Sequence, residues 1–149
     1  NMNKKFLISI IIVIILGILS AKSVYSLSDD INKKNMYYFL QLGVYENLDN
    51  LNEDTKNIDD KIVLKENNNF YVYVGISKDK NNLKKLSNMY KNLGYNLLIK
   101  TKAIVSEEFI ANLEQFDKLL KQTNDLEELK KIMAVILSSY QEMVINSII

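Results

Sequence analysis

The strongest constraint on the fold is an internal repeat. Phe39-Leu40-Gln41-Leu42-Gly43-Val44 and Tyr71-Val72-Tyr73-Val74-Gly75-Ile76 align with their glycines 32 residues apart, 75 − 43. Leu51 and Leu83 keep the same spacing, 83 − 51 = 32, and each follows an asparagine, Asn50 and Asn82. Each copy opens with branched and aromatic residues that favour a strand. Apolar residues at helical spacing follow, and then a second short apolar run, Ile62-Val63-Leu64 in one copy and residues 96–100 in the other. The pattern is β-α-β, β-α-β. Two such units combine as a four-stranded antiparallel sheet with two helices on one face, an α+β, ferredoxin-like α/β sandwich.

Local signals punctuate this pattern. Asn47 and Asp79 are placed to cap the two helices, and the second carries Leu83, Leu86, Met89, Tyr90 and Leu93 on one face. Gly94 stands where a helix-terminating glycine belongs. Asn67-Asn68-Asn69 marks a turn, because asparagine tolerates positive φ. Strict alternation then assigns Tyr38, Leu40, Leu42, Val44, Phe70, Val72, Val74 and Ile76 to the helix-covered face. The other face receives Phe39, Gln41 and Tyr45 from the first strand and Tyr71, Tyr73 and Ser77 from the third, with Gly43 and Gly75 between them. Phe39, Gln41, Tyr71 and Tyr73 form a candidate sugar site: rings stack on the C–H faces of pyranoses, and an amide hydrogen-bonds hydroxyl and acetamido groups. The competing reading is that these residues merely favour strands, or lie under the C-terminal helices.

The flanks set the organisation. Lys4 and Lys5 precede an apolar run over residues 6–21, broken only by Ser9, Gly17 and Ser20. As a helix it spans roughly 24 Å, short of a ~30 Å hydrocarbon core. The preceding lysines predict a cytoplasmic N-terminus and an external C-terminal body. Residues 1–26 therefore read either as a cleaved signal peptide, with small residues at Ala21, Ser23, Val24 and Ser26, or as a retained anchor in the cell membrane. Residues 27–35 read as a linker, 36–103 as the sheet domain and 104–149 as a helical hairpin. In the hairpin, Ser106 caps a helix carrying Phe109, Leu113, Phe116 and Leu120. Asn124 and Glu127 resemble a capping box for a second helix carrying Leu126, Leu129, Met133, Ile136, Leu137, Tyr140 and Val144. The hairpin packs on itself or on the domain, or it presents residues 132–137 and the tail 144–149 to a partner or a membrane surface.

Composition removes whole classes of function. All 19 cations are lysine, and they balance 18 acids to a net charge of +1. Without an excess of charge or any arginine, nucleic-acid binding is not expected. With no Cys and no His, the chain has no thiolate, no imidazole base and no zinc-thiolate site. The acid pairs Glu107/Glu108 and Glu127/Glu128 fall on helix starts, where they complement the dipole. No catalytic residue, metal ligand or cofactor is therefore assigned, and a non-enzymatic role is expected.

The two repeat lines, Tyr38-Phe39-Leu40-Gln41-Leu42-Gly43-Val44-Tyr45 and Phe70-Tyr71-Val72-Tyr73-Val74-Gly75, resemble the SPOR (sporulation-related repeat) domain, a peptidoglycan-binding module. The run from Asn82-Leu83 to Leu93-Gly94-Tyr95 is similar to that family's second helix and its closing Gly-Tyr. The resemblance covers about residues 36–102. It implies binding of glycan strands stripped of their stem peptides on the open sheet face, with Gln41 matching the family's characteristic glutamine. It also implies action at division or sporulation septa. Two positions depart from the family: Tyr71 stands where an arginine is frequent, and Ser77 where an aromatic is usual. They motivate an alternative, a membrane-anchored adaptor that keeps the fold but binds a protein partner through the sheet face or the C-terminal helices.

Overall fold

A computed structural model describes residues 35–148; the expected signal or anchor segment and all but the last residue of the expected linker lie outside the described residues. The chain runs β1 (Met36–Tyr45), α1 (Leu48–Asp54), β2 (Ile62–Glu66), β3 (Asn69–Ser77), α2 (Lys80–Asn92), β4 (Leu98–Ala103), α3 (Glu107–Gln122) and α4 (Leu126–Ile148). The four strands form one sheet in the order β2-β3-β1-β4, with every neighbouring pair antiparallel. Among the described residues no helix is long and apolar enough to cross a membrane.

The element boundaries follow from local chemistry. The Asn47 side chain accepts the backbone N–H of Asn50 at 2.9 Å, and that of Asp79 accepts from Asn81 at 2.9 Å. Each supplies a partner that the first helical turn lacks. Gly94, at φ +91°, ends α2 in a conformation that costs a glycine little. Asn67 and Asn68 both take positive φ, 49° and 67°, and close the tight β2–β3 hairpin. The last helix departs from expectation. Asp125, not Asn124, caps α4, its carboxylate accepting from the backbone of Glu127 and Glu128 at 2.9 and 3.1 Å.

Helix α2 lies on one face of the sheet. A Cβ at Gly75 would stand 3.0 Å from the side chains of both Leu83 and Leu86 and 3.3 Å from Leu40, so glycine here permits the close approach of α2 to β3. The α3–α4 hairpin covers much of the opposite face. The Phe39 ring meets that of Tyr140 edge-on at 5.3 Å, and Tyr140 meets Phe109 at 5.5 Å. Phe39, Ile76, Ile132 and Ile136 are each 0% exposed. One continuous apolar core therefore runs from the sheet into the hairpin, and the region expected to be an uncovered aromatic face is largely interior.

Polar bonds fix the hairpin to the β3–α2 turn. Asp117 of α3 accepts from the Ser77 hydroxyl, from the backbone N–H of Lys78 at 2.8 Å and from the Asn82 amide at 3.3 Å. The Lys85 ammonium donates to the carbonyls of Leu120, Lys121 and Thr123 at 3.1–3.2 Å, satisfying the C-terminus of α3.

Strict alternation along the strands also fails at one place. Between β1 and β3 the register shifts twice: Leu40 pairs Gly75, Gln41 pairs Tyr73, and Gly43 pairs Val72. Val74 is an extra residue on β3 and Leu42 an extra residue on β1, two compensating bulges. Beyond them the faces invert. Val44 pairs Tyr71 and joins the face it was expected to oppose, while Tyr45 pairs Phe70 on the other side. Ile76 pairs Phe39 under the hairpin, and Gly75, expected outward, faces α2.

Candidate functional site

The hairpin leaves one part of the sheet face open, a shallow cleft of about 390 Å³. Gln41 of β1 lies at its floor, flanked by Tyr71 and Tyr73 of β3, with Val44, Glu66 of β2 and residues 100–102 of β4 around the rim. The placement follows from register. Gln41 pairs Tyr73 on one side and Leu98 on the other, so side chains of three neighbouring strands share the face. Lys100 and Lys102, two residues apart on the edge strand, project to that same face opposite Phe39 and Tyr37.

The four residues expected to form the site divide. Gln41, Tyr71 and Tyr73 line the cleft together. Phe39 does not, because its ring is sealed between Tyr73, 5.4 Å away, and Tyr140. Tyr73 is itself 3% exposed, so it contributes an edge to the cleft and most of its ring to the core. Tyr71 is half-buried and presents more of its surface.

Gln41 is unusual. The residue is 8% exposed, yet its side chain makes no hydrogen bond among the described residues, and none of its polar atoms is sealed from solvent. A glutamine amide carries two donors and one acceptor oxygen, and the residue that bears it lines the cleft. The hydroxyl and acetamido groups of a sugar are of the right kind to meet them.

Charge is gathered on one side. Lys102 forms an ion pair with Glu66 and stands 5.2 Å from the Tyr73 ring centroid. Burial works against the Lys102 charge, but the Glu66 hydrogen bond and nearby Tyr73 outweigh it and hold the ammonium above its usual pKa. Burial raises the Tyr73 phenol, with Lys102 opposing the rise, and burial likewise raises Tyr140. These groups keep their ordinary protonation at neutral pH. Lys100 makes no ion pair or hydrogen bond among the described residues. Among the described residues no cluster of three acidic side chains is placed to hold a metal ion.

Sequence reasoning missed Val44, Glu66, Lys100 and Lys102. Lys100 and Lys102 stand at strand spacing, but the fourth strand was expected over residues 96–100 and runs instead from Leu98 to Ala103. Its register against β1, which brings the two lysines to Gln41, is a tertiary property.

No protein-family model and no curated protein matches the chain. Among solved structures, it is similar to the solution structure of the peptidoglycan-binding domain of the B. subtilis cell wall lytic enzyme CwlC, at 21% identity and a TM-score of 0.40, over 56% of this chain and 100% of that one.

Proposed function

We propose that this protein is a non-catalytic binding protein for peptidoglycan glycan strands, held at the cell envelope with its folded body outside the cytoplasm. The observation that carries this reading is Gln41, nearly buried, its amide unpartnered among the described residues, lining a cleft walled by Tyr71 and Tyr73. A site that buries polar groups for a ligand to satisfy discriminates sharply against ligands that leave them unpaired. Tyr71 supplies a partly exposed ring for the apolar face of a pyranose. The likeness of the two repeat lines to the SPOR domain names the ligand class, glycan strands without stem peptides, and associates the protein with division or sporulation septa. Residues 1–26 serve as the signal or membrane anchor.

The adaptor reading has a specific observation in its favour. The hairpin seals Phe39, removing one ring from the expected sugar surface, while Val44 and Leu98 remain 45% and 57% exposed on the same face. Apolar side chains beside a cleft also suit a protein partner.

Co-sedimentation separates the two. Residues 28–149 are expected to pellet with purified sacculi, more strongly after amidase removes the stem peptides, and Gln41→Ala is expected to weaken pelleting about tenfold, the loss of one to two well-formed hydrogen bonds. A folded protein that stays in the supernatant with both preparations would exclude the glycan reading and leave the adaptor.

A further inference from the structure

We infer that the cleft selects an anionic glycan, one carrying a carboxylate on its sugar, and that Lys100 is the residue that reads the charge. The inference rests on the glycan reading above and adds the charge of the ligand to it.

The argument starts from which charges in the cleft are already met. Glu66 and Lys102 neutralise one another across the face, with Lys102 also held beside the Tyr73 ring. Lys100 lines the same cleft and has no acid of its own among the described residues. The cleft therefore carries one unopposed positive charge, although the whole chain is nearly neutral at +1. Its position is set by the sheet. Lys100 pairs Phe39 in register, so it stands two residues along the strands from Gln41 and Leu98 and on the same face. A sugar whose acetamido or hydroxyl groups engage Gln41 would place a substituent two to three bonds from the ring within reach of the flexible Lys100 stem. The ammonium is a mobile donor with no acceptor capacity. A carboxylate is the complement that the cleft lacks, and a neutral sugar would leave the lysine solvated and contributing nothing.

The shared chemistry, a negative charge on a wall polymer, has two sources: a carboxylate on the sugar itself, or phosphate of attached teichoic acid. The cleft is sized for a sugar and places the charge beside the amide, so the carboxylate is the group assigned to Lys100.

The test uses the full chain in nonionic detergent and three soluble probes. They are amidase-stripped glycan strands freed of teichoic acid, the same strands with their carboxyls converted to amides, and an oligomer of N-acetylglucosamine. Stripped strands are expected to bind about five- to tenfold more tightly than either neutral probe, as for a charge-assisted bond at a partly exposed site. That preference should shrink as salt is raised. Lys100→Gln is expected to abolish the preference, so that charged and amidated strands bind alike, and Lys84→Gln, a charge lost from the exposed surface of α2, should leave it intact. Equal binding of charged and amidated strands by the unaltered protein would overturn the charge inference and spare the glycan reading. An equal effect of Lys84→Gln and Lys100→Gln would also overturn it, since the preference would then be diffuse. Failure to bind any of the three probes would overturn the inference together with the reading beneath it.

Discussion

Phe39 and Tyr71 occupy neighbouring strands and both read as candidate ligand contacts in sequence, yet their surroundings assign them opposite roles. Phe39 is wholly buried between Tyr73 and Tyr140. Phe39→Ala is expected to cost about 3–5 kcal/mol of stability, as for other large-to-small core changes. Tyr71→Ala is expected to cost under about 1 kcal/mol while weakening glycan binding. Denaturant unfolding of the two variants beside sacculus pelleting checks both; a reversed order of stabilities would contradict the burial of Phe39. The features readable from single residues were those whose physics is local. Asn47, Asp79 and Ser106 cap helices because each side chain accepts the backbone N–H two or three residues further on. Gly94 and Asn67-Asn68 take positive φ for reasons internal to those residues. Gln41 was legible as a ligand candidate, but its lack of a protein partner was not, since that depends on what three other strands bring to the same face.

The repeat made the succession of strands and the first two helices along the chain legible, because each copy carries its own period and its own turn residues. It did not reveal the bulges. A single extra residue at Val74 is compensated by another at Leu42, so each strand still alternates on either side of its bulge while Val44 and Ile76, beyond the bulges, change face. Counting by twos carries no record of such a pair. The hairpin posed a different problem: its apolar stripe was evident, but a stripe is equally compatible with packing inward and with a partner. The polar bonds at its base decide the matter for this fold. Asp117 gathers three donors from the β3–α2 turn, and Asp117→Ala is expected to cost about 1–3 kcal/mol by leaving them unmet. Burial raises the Asp117 carboxyl above its ordinary 3.8, against the pull of its hydrogen bonds. The folded state therefore holds this proton to higher pH than the unfolded state does. The linked stabilisation is full below 3.8 and is lost as pH rises through the folded value. The advantage of the native protein over Asp117→Ala should accordingly be larger near pH ~3.5 than at neutrality. Unfolding curves at the two pH values read this directly, and a gap that narrows on acidification would contradict it.

For the whole molecule, the hairpin converts a broad sheet face into a bounded cleft. It buries Phe39 and most of Tyr73 and closes one side of the face with Tyr140, leaving Gln41, Tyr71 and the lysines of β4 to meet a ligand. Its apolar residues belong to the same core as the sheet, so the account assigns the hairpin a shaping role. The most direct test maps the ligand onto the fold: backbone amide NMR shifts of residues 28–149 during titration with amidase-stripped glycan strands. The account predicts shifts concentrated at Gln41, Val44, Tyr71, Tyr73 and residues 98–102, with the outer surfaces of α3 and α4 unmoved. Shifts confined to the hairpin surface, or none at saturating strand concentration with the protein folded, would contradict the claim that this cleft binds glycan.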